Sequence, residues 1–350
     1  MRLLFDISHP VQVHVFRPVI EACRALGHEV RVIARDKDVT LDLLSRFGIA
    51  AEVLAPTGRG VLGFVRELVV REARMAARAR RFRPDLIVGT SAHAARVARL
   101  TGARSVVMSD DDADAVPVFR WLAYPLATVI VTPSCLRHED HGARHRVYEG
   151  YQQLFYLHPH RFRADPLVRR ELGLGDGEAF GLLRLSALTA HHDRGVRGLS
   201  EEAVRGVQER VAGRFRLFVS SEKPLPAGLE PLRVRVAPHR LHDVLAAASF
   251  FVGDSQSMTA ESAVLGVPAF RLNDFVGRIS YLRELEEYGL AFGFRRGEEA
   301  GLLDALTRTL ALPDRPAHFA ARRERMLADK GDPLPWLMAL FAELSGARAA

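Results

Sequence analysis

Phe250 to Asn273 reads FFVGDSQSMTAESAVLGVPAFRLN, and the reading of the whole fold turns on this stretch. An apolar run, Phe250 to Val252, enters Gly253-Asp254-Ser255; a helical stretch begins near Gln256 and stops at Gly266; Pro268 then opens the next apolar run, Ala269 to Leu272. Buried strand, helix and buried strand in that order make a βαβ unit of a parallel sheet. Small and polar residues at the strand-to-helix turn leave backbone N–H groups open at the positive end of a helix, which favours a phosphate. Glu261 follows about one and a half turns along, where its carboxylate can accept hydrogen bonds from ribose hydroxyls. The plainer alternative is that Asp254 or Ser255 only caps the helix and that Glu261 is a solvated side chain.

The same rhythm extends outward on both sides. In the second half, strands are expected at Phe180 to Leu185, Leu217 to Val219, Val234 to Val236 and the two runs above, with helices at Glu201 to Val211 and Leu241 to Ala247. In the first half, strands at Arg2 to Ile7, Glu29 to Ala34, around Val53, Leu86 to Val88 and Ser105 to Met108 alternate with helices, and a further strand, Thr128 to Val131, completes the half. Those helices end at glycines such as Gly27, Gly48 and Gly102, which suit a C-cap. Between about Pro159 and Gly177 the sequence turns polar and loses strand pattern, as a domain junction does. The expected organisation is therefore residues 1–160 as a first α/β domain, 161–331 as a second, and an apolar helix in 332–350 returning to the first.

These blocks carry a resemblance. GDSQSMTAE is similar to the GDS/SDSGG-x-x-E element of the non-hydrolysing UDP-N-acetylglucosamine 2-epimerases and the wider GT-B glycosyltransferase superfamily. A closer resemblance, to an uncharacterised prokaryotic family of predicted glycosyltransferases, covers nearly the whole chain. It rests on FDISHPVQVHVFRPVI, GYQQLFYLHPHRF, HHDRG, SSEKPLP and GDSQSMTAESAVLGVPAFR together. The resemblance implies two Rossmann-like domains facing a central cleft. It also implies that the helix starting at Gln256 holds the diphosphate of a nucleotide sugar while Glu261 binds ribose. Asp254, Ser255, Gln256, Ser257 and Glu261 are thus the expected donor contacts. The epimerases' two glycines are here Gln256 and Ser257, so the backbone approach to phosphate is not carried over.

Three further constellations follow strands. Asp6, His9 and His14 lie at the mouth of the first strand; Asp6 and His9 are candidate substrate contacts, and the imidazole of His14 is the first candidate for a base that takes the acceptor proton. Thr189 to Gly195 follows the first strand of the second half, where the epimerases carry a His-Arg-rich motif beside the sugar. There His192 is a candidate catalytic group and Asp193 a candidate sugar or diphosphate contact, with Arg184 placed to neutralise charge on the leaving group. A structural turn is the other reading of this motif. His191, His192 and Asp193 lack a third properly spaced metal ligand, so no metal is expected. Ser109 to Asp114, SDDDAD, is either a solvated acidic loop or an acceptor contact in which Asp110 is an alternative base.

Composition bounds the partners. Forty-nine basic against 42 acidic side chains give a formal charge of +7, which attracts phosphate groups. The arginines are spread along the chain without a nucleic-acid module, so a phosphorylated small substrate or an anionic membrane surface accounts for the sign and no nucleic-acid partner is expected. Arg66 to Arg83, RELVVREARMAARARRFR, suits a helix with a cationic face, either solvated or in contact with a membrane or a lipid-linked acceptor. Cys23 and Cys135 show neither disulfide nor zinc spacing and read as small core residues. No run approaches the ~18 apolar residues of a spanning helix, and the amino terminus has no signal-peptide pattern, so a cytoplasmic enzyme is expected, with peripheral contact at the inner membrane face open to it. The leading expectation is transfer of a sugar from a nucleoside-diphosphate donor to a glycan or lipid-linked acceptor without an obligatory cofactor. Epimerisation of a nucleotide sugar and a catalytically silent nucleotide-sugar sensor or scaffold are the alternatives.

Overall fold

A computed structural model of the chain describes residues 1–54, 60–185, 199–221 and 224–346, with the side chains of residues 60–62, 64 and 65 outside the description. The chain divides into two compact units, Met1–Arg161 with Gly331–Ala350, and Phe162–Lys330.

The first unit is built on seven parallel strands: β1 (Arg2–Ile7), β2 (Glu29–Ala34), β3 (Glu52–Val53), β4 (Leu86–Gly89), β5 (Arg104–Met108), β6 (Val129–Pro133) and β7 (His145–Tyr148). They lie in the order β3-β2-β1-β4-β5-β6-β7. Helices α1 (Pro10–Ala25), α2 (Thr40–Arg46), α3 (Gly60–Phe82), α4 (Ala92–Thr101), α5 (Pro117–Ala123) and α6 (Leu154–Leu157) connect them. In α1 the apolar positions Val13, Phe16, Val19, Ile20 and Cys23 recur three and four apart and are all buried, which is why this stretch folds as a helix against the sheet. Its first turn is set by Pro10, whose ring fixes φ where no N–H is needed, and by His9, whose Nδ1 accepts the Val11 N–H at 3.4 Å. Gly27, at φ +76°, takes the left-handed turn that lets the chain leave α1 and enter β2.

The second unit holds α7 (Val168–Glu171), β8 (Phe180–Leu185), α8 (Glu201–Val211), β9 (Arg216–Ser221), α9 (Leu241–Ala247), β10 (Phe250–Gly253), α10 (Gln256–Val264), β11 (Ala269–Leu272), α11 (Ser280–Glu287), β12 (Ala291–Phe294), α12 (Glu299–Leu310) and α13 (Arg315–Lys330). Its five parallel strands run β12-β11-β10-β8-β9. On one face Phe250, Val252, Phe270 and Leu272 pack against Val204, Val207 and Val211 of α8 and Leu302, Leu306 and Leu310 of α12. The last helix, α14 (Pro333–Gly346), packs on α1, α6 and β7 of the first unit. Asp332 just before it accepts two hydrogen bonds from the Arg161 guanidinium, at 2.6 and 2.7 Å.

Two expectations need correction. Val234 to Val236 is not a strand: only Arg233 bridges to Val219 and the Val234 N–H reaches the Val219 carbonyl, after which the chain turns toward Pro238. Thr128 to Val131 does not complete the first sheet, because β7 adds beyond β6. Its sequence, HRVY, has no run of apolar residues; the strand lies at the sheet edge and three of its four residues stay half-buried. Cys23 and Cys135 are free and buried, and burial pushes the Cys23 thiol up to about 12. Among the described residues no helix is long and apolar enough to cross a membrane.

Candidate functional site

In an open parallel sheet, ligands bind beyond the carboxyl ends of the strands where the strand order reverses direction. In the second sheet that reversal lies between β8 and β10, at Arg184-Leu185 and Gly253 to Ser255. Gly253 is in register with Arg184 on one side and Arg271 on the other. A Cβ at Gly253 would lie 2.7 Å from the Phe251 ring, 2.9 Å from the Arg184 Cβ and 3.1 Å from its carbonyl oxygen, so only glycine brings the strand this close. Ser255 caps α10, accepting the Met258 N–H at 3.4 Å, and its carbonyl accepts the Thr259 hydroxyl at 2.6 Å. Asp254 is buried: its carbonyl accepts from Asn273 Nδ2 at 2.9 Å and its carboxylate from the Leu199 N–H at 3.4 Å. Asn273 in turn accepts the Phe275 N–H at 3.0 Å, so this side chain ties the β10–α10 turn to the loop after β11. From Phe250 to Val264 only Ser255, Gln256 and Ser257 are partly open to solvent. They stand at the first turn of α10, where N–H groups lack helical acceptors.

Glu261 is buried on α10, with Oε1 at 3.2 Å from Nε2 of His242 on α9, itself buried. His242 and Asn273 were not read from the sequence; one lies in a helix without a motif and the other after β11, and only packing brings them to α10. Arg184 is half-buried and donates to the Ser220 hydroxyl at 2.8 Å. Arg271 is wholly buried, its Nη2 at 3.5 Å from Glu286, and burial lowers its pKa. His192 and Asp193 lie outside the described residues.

The first sheet reverses between β1 and β4. Asp6, fully buried at this point, accepts from the Arg71 guanidinium on α3 and from the Ser91 hydroxyl that caps α4. Arg71 also reaches the Ser8 hydroxyl at 3.0 Å. Gln12 accepts the Ser8 N–H at 2.6 Å and donates to Thr90. His9 is exposed at the start of α1. His14 lies one turn further in, half-buried, with ring centroids 5.7 Å from Phe47 and 5.6 Å from Tyr156.

Asp110 follows β5. It keeps a little solvent-facing surface yet sits deep among protein atoms; burial pushes its carboxyl up to about 8 and the charge of Asp111 adds to this, against hydrogen bonds from the Gln152 side chain and its own backbone. Tyr148, at the end of β7, is held well above the ordinary phenol value by burial and then by the Asp110 charge. The block GYQQLFYLHPHRF thus supplies Gln152, a partner for Asp110 that the sequence pattern did not single out. Two groups of described residues could meet around a metal, Asp112-His138-Glu139 and His158-His160-Asp332. Both have other partners: Glu139 accepts from the Ala113 N–H at 2.7 Å and is 2.7 Å from His141, and Asp332 is clamped by Arg161.

No family model and no curated protein sequence matches the chain. Solved structures do. The UDP-GlcNAc 2-epimerase from Neisseria meningitidis bound to UDP-GlcNAc superposes with a TM-score of 0.72 at 11% identity, over 98% of this chain and 99% of that one. The spinosyn forosaminyltransferase SpnP gives 0.64 at 20% identity, over 98% and 99%. The spinosyn rhamnosyltransferase SpnG complexed with thymidine diphosphate gives 0.65 at 13% identity, over 97% and 100%. The chain has the GT-B-like fold. In GT-B-like terms the β10–α10 turn belongs to the second sheet and Asp110 to the first. The neighbours are enzymes of two kinds, epimerases and glycosyltransferases, and at these identities the likeness is one of fold.

Proposed function

We propose that the protein is a GT-B-type glycosyltransferase that moves a sugar from a nucleoside-diphosphate donor to a glycan or lipid-linked acceptor. The observation that carries this reading is the β10–α10 turn. At the reversal point of the second sheet, an otherwise buried segment opens only at Ser255-Gln256-Ser257, on the positive end of α10. Backbone N–H groups there suit a diphosphate, and charge that builds on the leaving diphosphate is stabilised by the same dipole without reorganisation. Glu261, oriented by His242, receives the ribose hydroxyls, and Arg184 adds positive charge at the end of β8.

In the first unit Asp110 and His14 are the two candidates for the base that takes the acceptor proton. Asp110 has the stronger physical case, because a carboxyl raised to about 8 holds its proton well enough to accept one near working pH. Asp6, with its carboxylate bound to Arg71 and Ser91, supports the β1–α1 turn. The same property of Asp110 favours one second reading, epimerisation, in which a group near working pH removes and returns a sugar proton. The test is to incubate the protein with UDP, GDP, dTDP and CMP sugars, with and without acceptors, and follow the products by mass and chromatography. Acceptor-dependent mass gain is the expected result; conversion of the donor to an isomer without acceptor selects the epimerase. Saturable nucleotide binding without turnover removes both. Single-turnover transfer then assigns the base: a rate lowered by a factor on the order of 100 is expected for Asp110→Asn, and the same loss in His14→Ala with a normal Asp110→Asn moves the role to His14.

A further inference from the structure

One face of the first sheet is covered by α3, α4 and α5, with α4 packed between α3 and the segment formed by α5 and the 3-10 turn Tyr124–Leu126. All three helices lead from one parallel strand to the next, so their carboxyl ends gather at the amino-terminal edge of the sheet, opposite the edge that bears Asp110. Arg80 and Arg81 end α3, Arg99 and Leu100 lie in the last turn of α4, and Trp121 and Leu122 lie in the last turn of α5. All six are exposed, Trp121 to 81%, and Leu126 just beyond is exposed as well. Arg80, Arg81 and Arg99 make no ion pair with a described residue. The acids of α3 do not offset them: Glu67 is buried under Arg35, and Glu72 is held by His93 and Arg96.

Helix dipoles explain arginines in the last turns. They do not explain a nearly bare indole and leucines at the same edge, where a soluble surface would carry polar groups. We propose that this edge of the α3–α4–α5 layer docks on an anionic lipid surface. Indole and leucine side chains enter the boundary between headgroups and acyl chains, and the guanidinium groups meet lipid phosphates. A second copy of the chain is the poorer occupant, because a two-fold interface would set this arginine-rich edge against itself. The inference is independent of the sugar chemistry proposed above, since it uses none of the donor or base residues.

The experiment uses the full chain and sedimentation with vesicles of phosphatidylcholine alone or mixed with phosphatidylglycerol. Binding to the mixed vesicles only, weakened by added salt, is expected. The chain has two tryptophans, so a Trp336→Phe variant leaves Trp121 as the sole reporter; its emission should shift to the blue on binding and be quenched by brominated lipid. Replacing Arg80, Arg81 and Arg99 by Gln should weaken binding on the order of 100-fold, and Trp121→Ser should weaken it too, with thermal melts unchanged in both. No binding to phosphatidylglycerol vesicles, or binding without change in Trp121 emission, overturns the proposal. So does loss of binding in the arginine variant alone, which marks a general polyanion patch, or self-association abolished by Trp121→Ser with vesicle binding intact.

Discussion

The two sheets share a parallel topology and a reversal point, and each buries the aspartate found there, but they differ in whether the turn beside it is closed. In the first, the ends of β1 and β4 are closed: the carboxylate of Asp6 is fully buried and bound to Arg71 and Ser91, and Gln12 bridges Ser8 and Thr90. In the second, the ends of β8 and β10 are bound from below by Asn273 and the close approach at Gly253, while Ser255 to Ser257 stay partly open. The comparison teaches that a strand-end aspartate is not by itself a ligand site. What matters is whether its hydrogen-bonding capacity is already filled by the fold.

The largest effect expected from this contrast is on stability. Asp6→Asn leaves Arg71 buried without its counter-charge, and urea unfolding should show a loss of about 3–5 kcal/mol; a loss below about 1 kcal/mol would mean the β1–β4 end is as open as its counterpart.

Next comes Asp110, with the drop in transfer on the order of 100-fold described above, accompanied by a change in pH behaviour. Its folded pKa, about 8, lies above that of an unfolded carboxyl near 3.8, so the stabilisation that accompanies the protonated form is complete below the lower value and is lost as pH rises through the upper one. Wild-type unfolding free energy should therefore fall between those two pH values, by up to about 1.4 kcal/mol per pH unit, and Asp110→Asn should remove that slope. Because the ionised form is the base, the transfer rate should rise through pH of about 8.

Smaller changes sharpen the open end. Glu261→Gln should weaken nucleotide binding by about 1–3 kcal/mol by calorimetry without unfolding the protein, and His242→Ala should act in the same direction by removing the imidazole that holds the carboxylate in place. Unchanged affinity in both would take α10 out of the donor site. Smallest is Ser255→Ala, where loss of the cap should cost about 1 kcal/mol of stability; nucleotide affinity should drop with it only if the first turn of α10 carries the diphosphate.

The sequence by itself determined the two parallel α/β units. Consecutive apolar residues in Phe250 to Val252, helical stripes such as Val13 to Cys23, and glycines after helices are local signals, and local backbone preference and burial period suffice to read them. It failed where neighbours decide: β7 forms because β6 offers it an edge, and Val234 to Val236 stays irregular although its β-branched residues favour a strand. It also named Asp6, Asp110, Ser255 and Glu261 from their positions after strands or along α10, but it could not distinguish them. Whether a carboxylate is neutralised by an arginine 65 residues away, as Asp6 is by Arg71, or raised by burial beside Asp111, as Asp110 is, depends on long-range packing. A side chain's charge state and free valences are set by what surrounds it in space, and only the tertiary structure brought Arg71, His242, Asn273 and Gln152 to these groups.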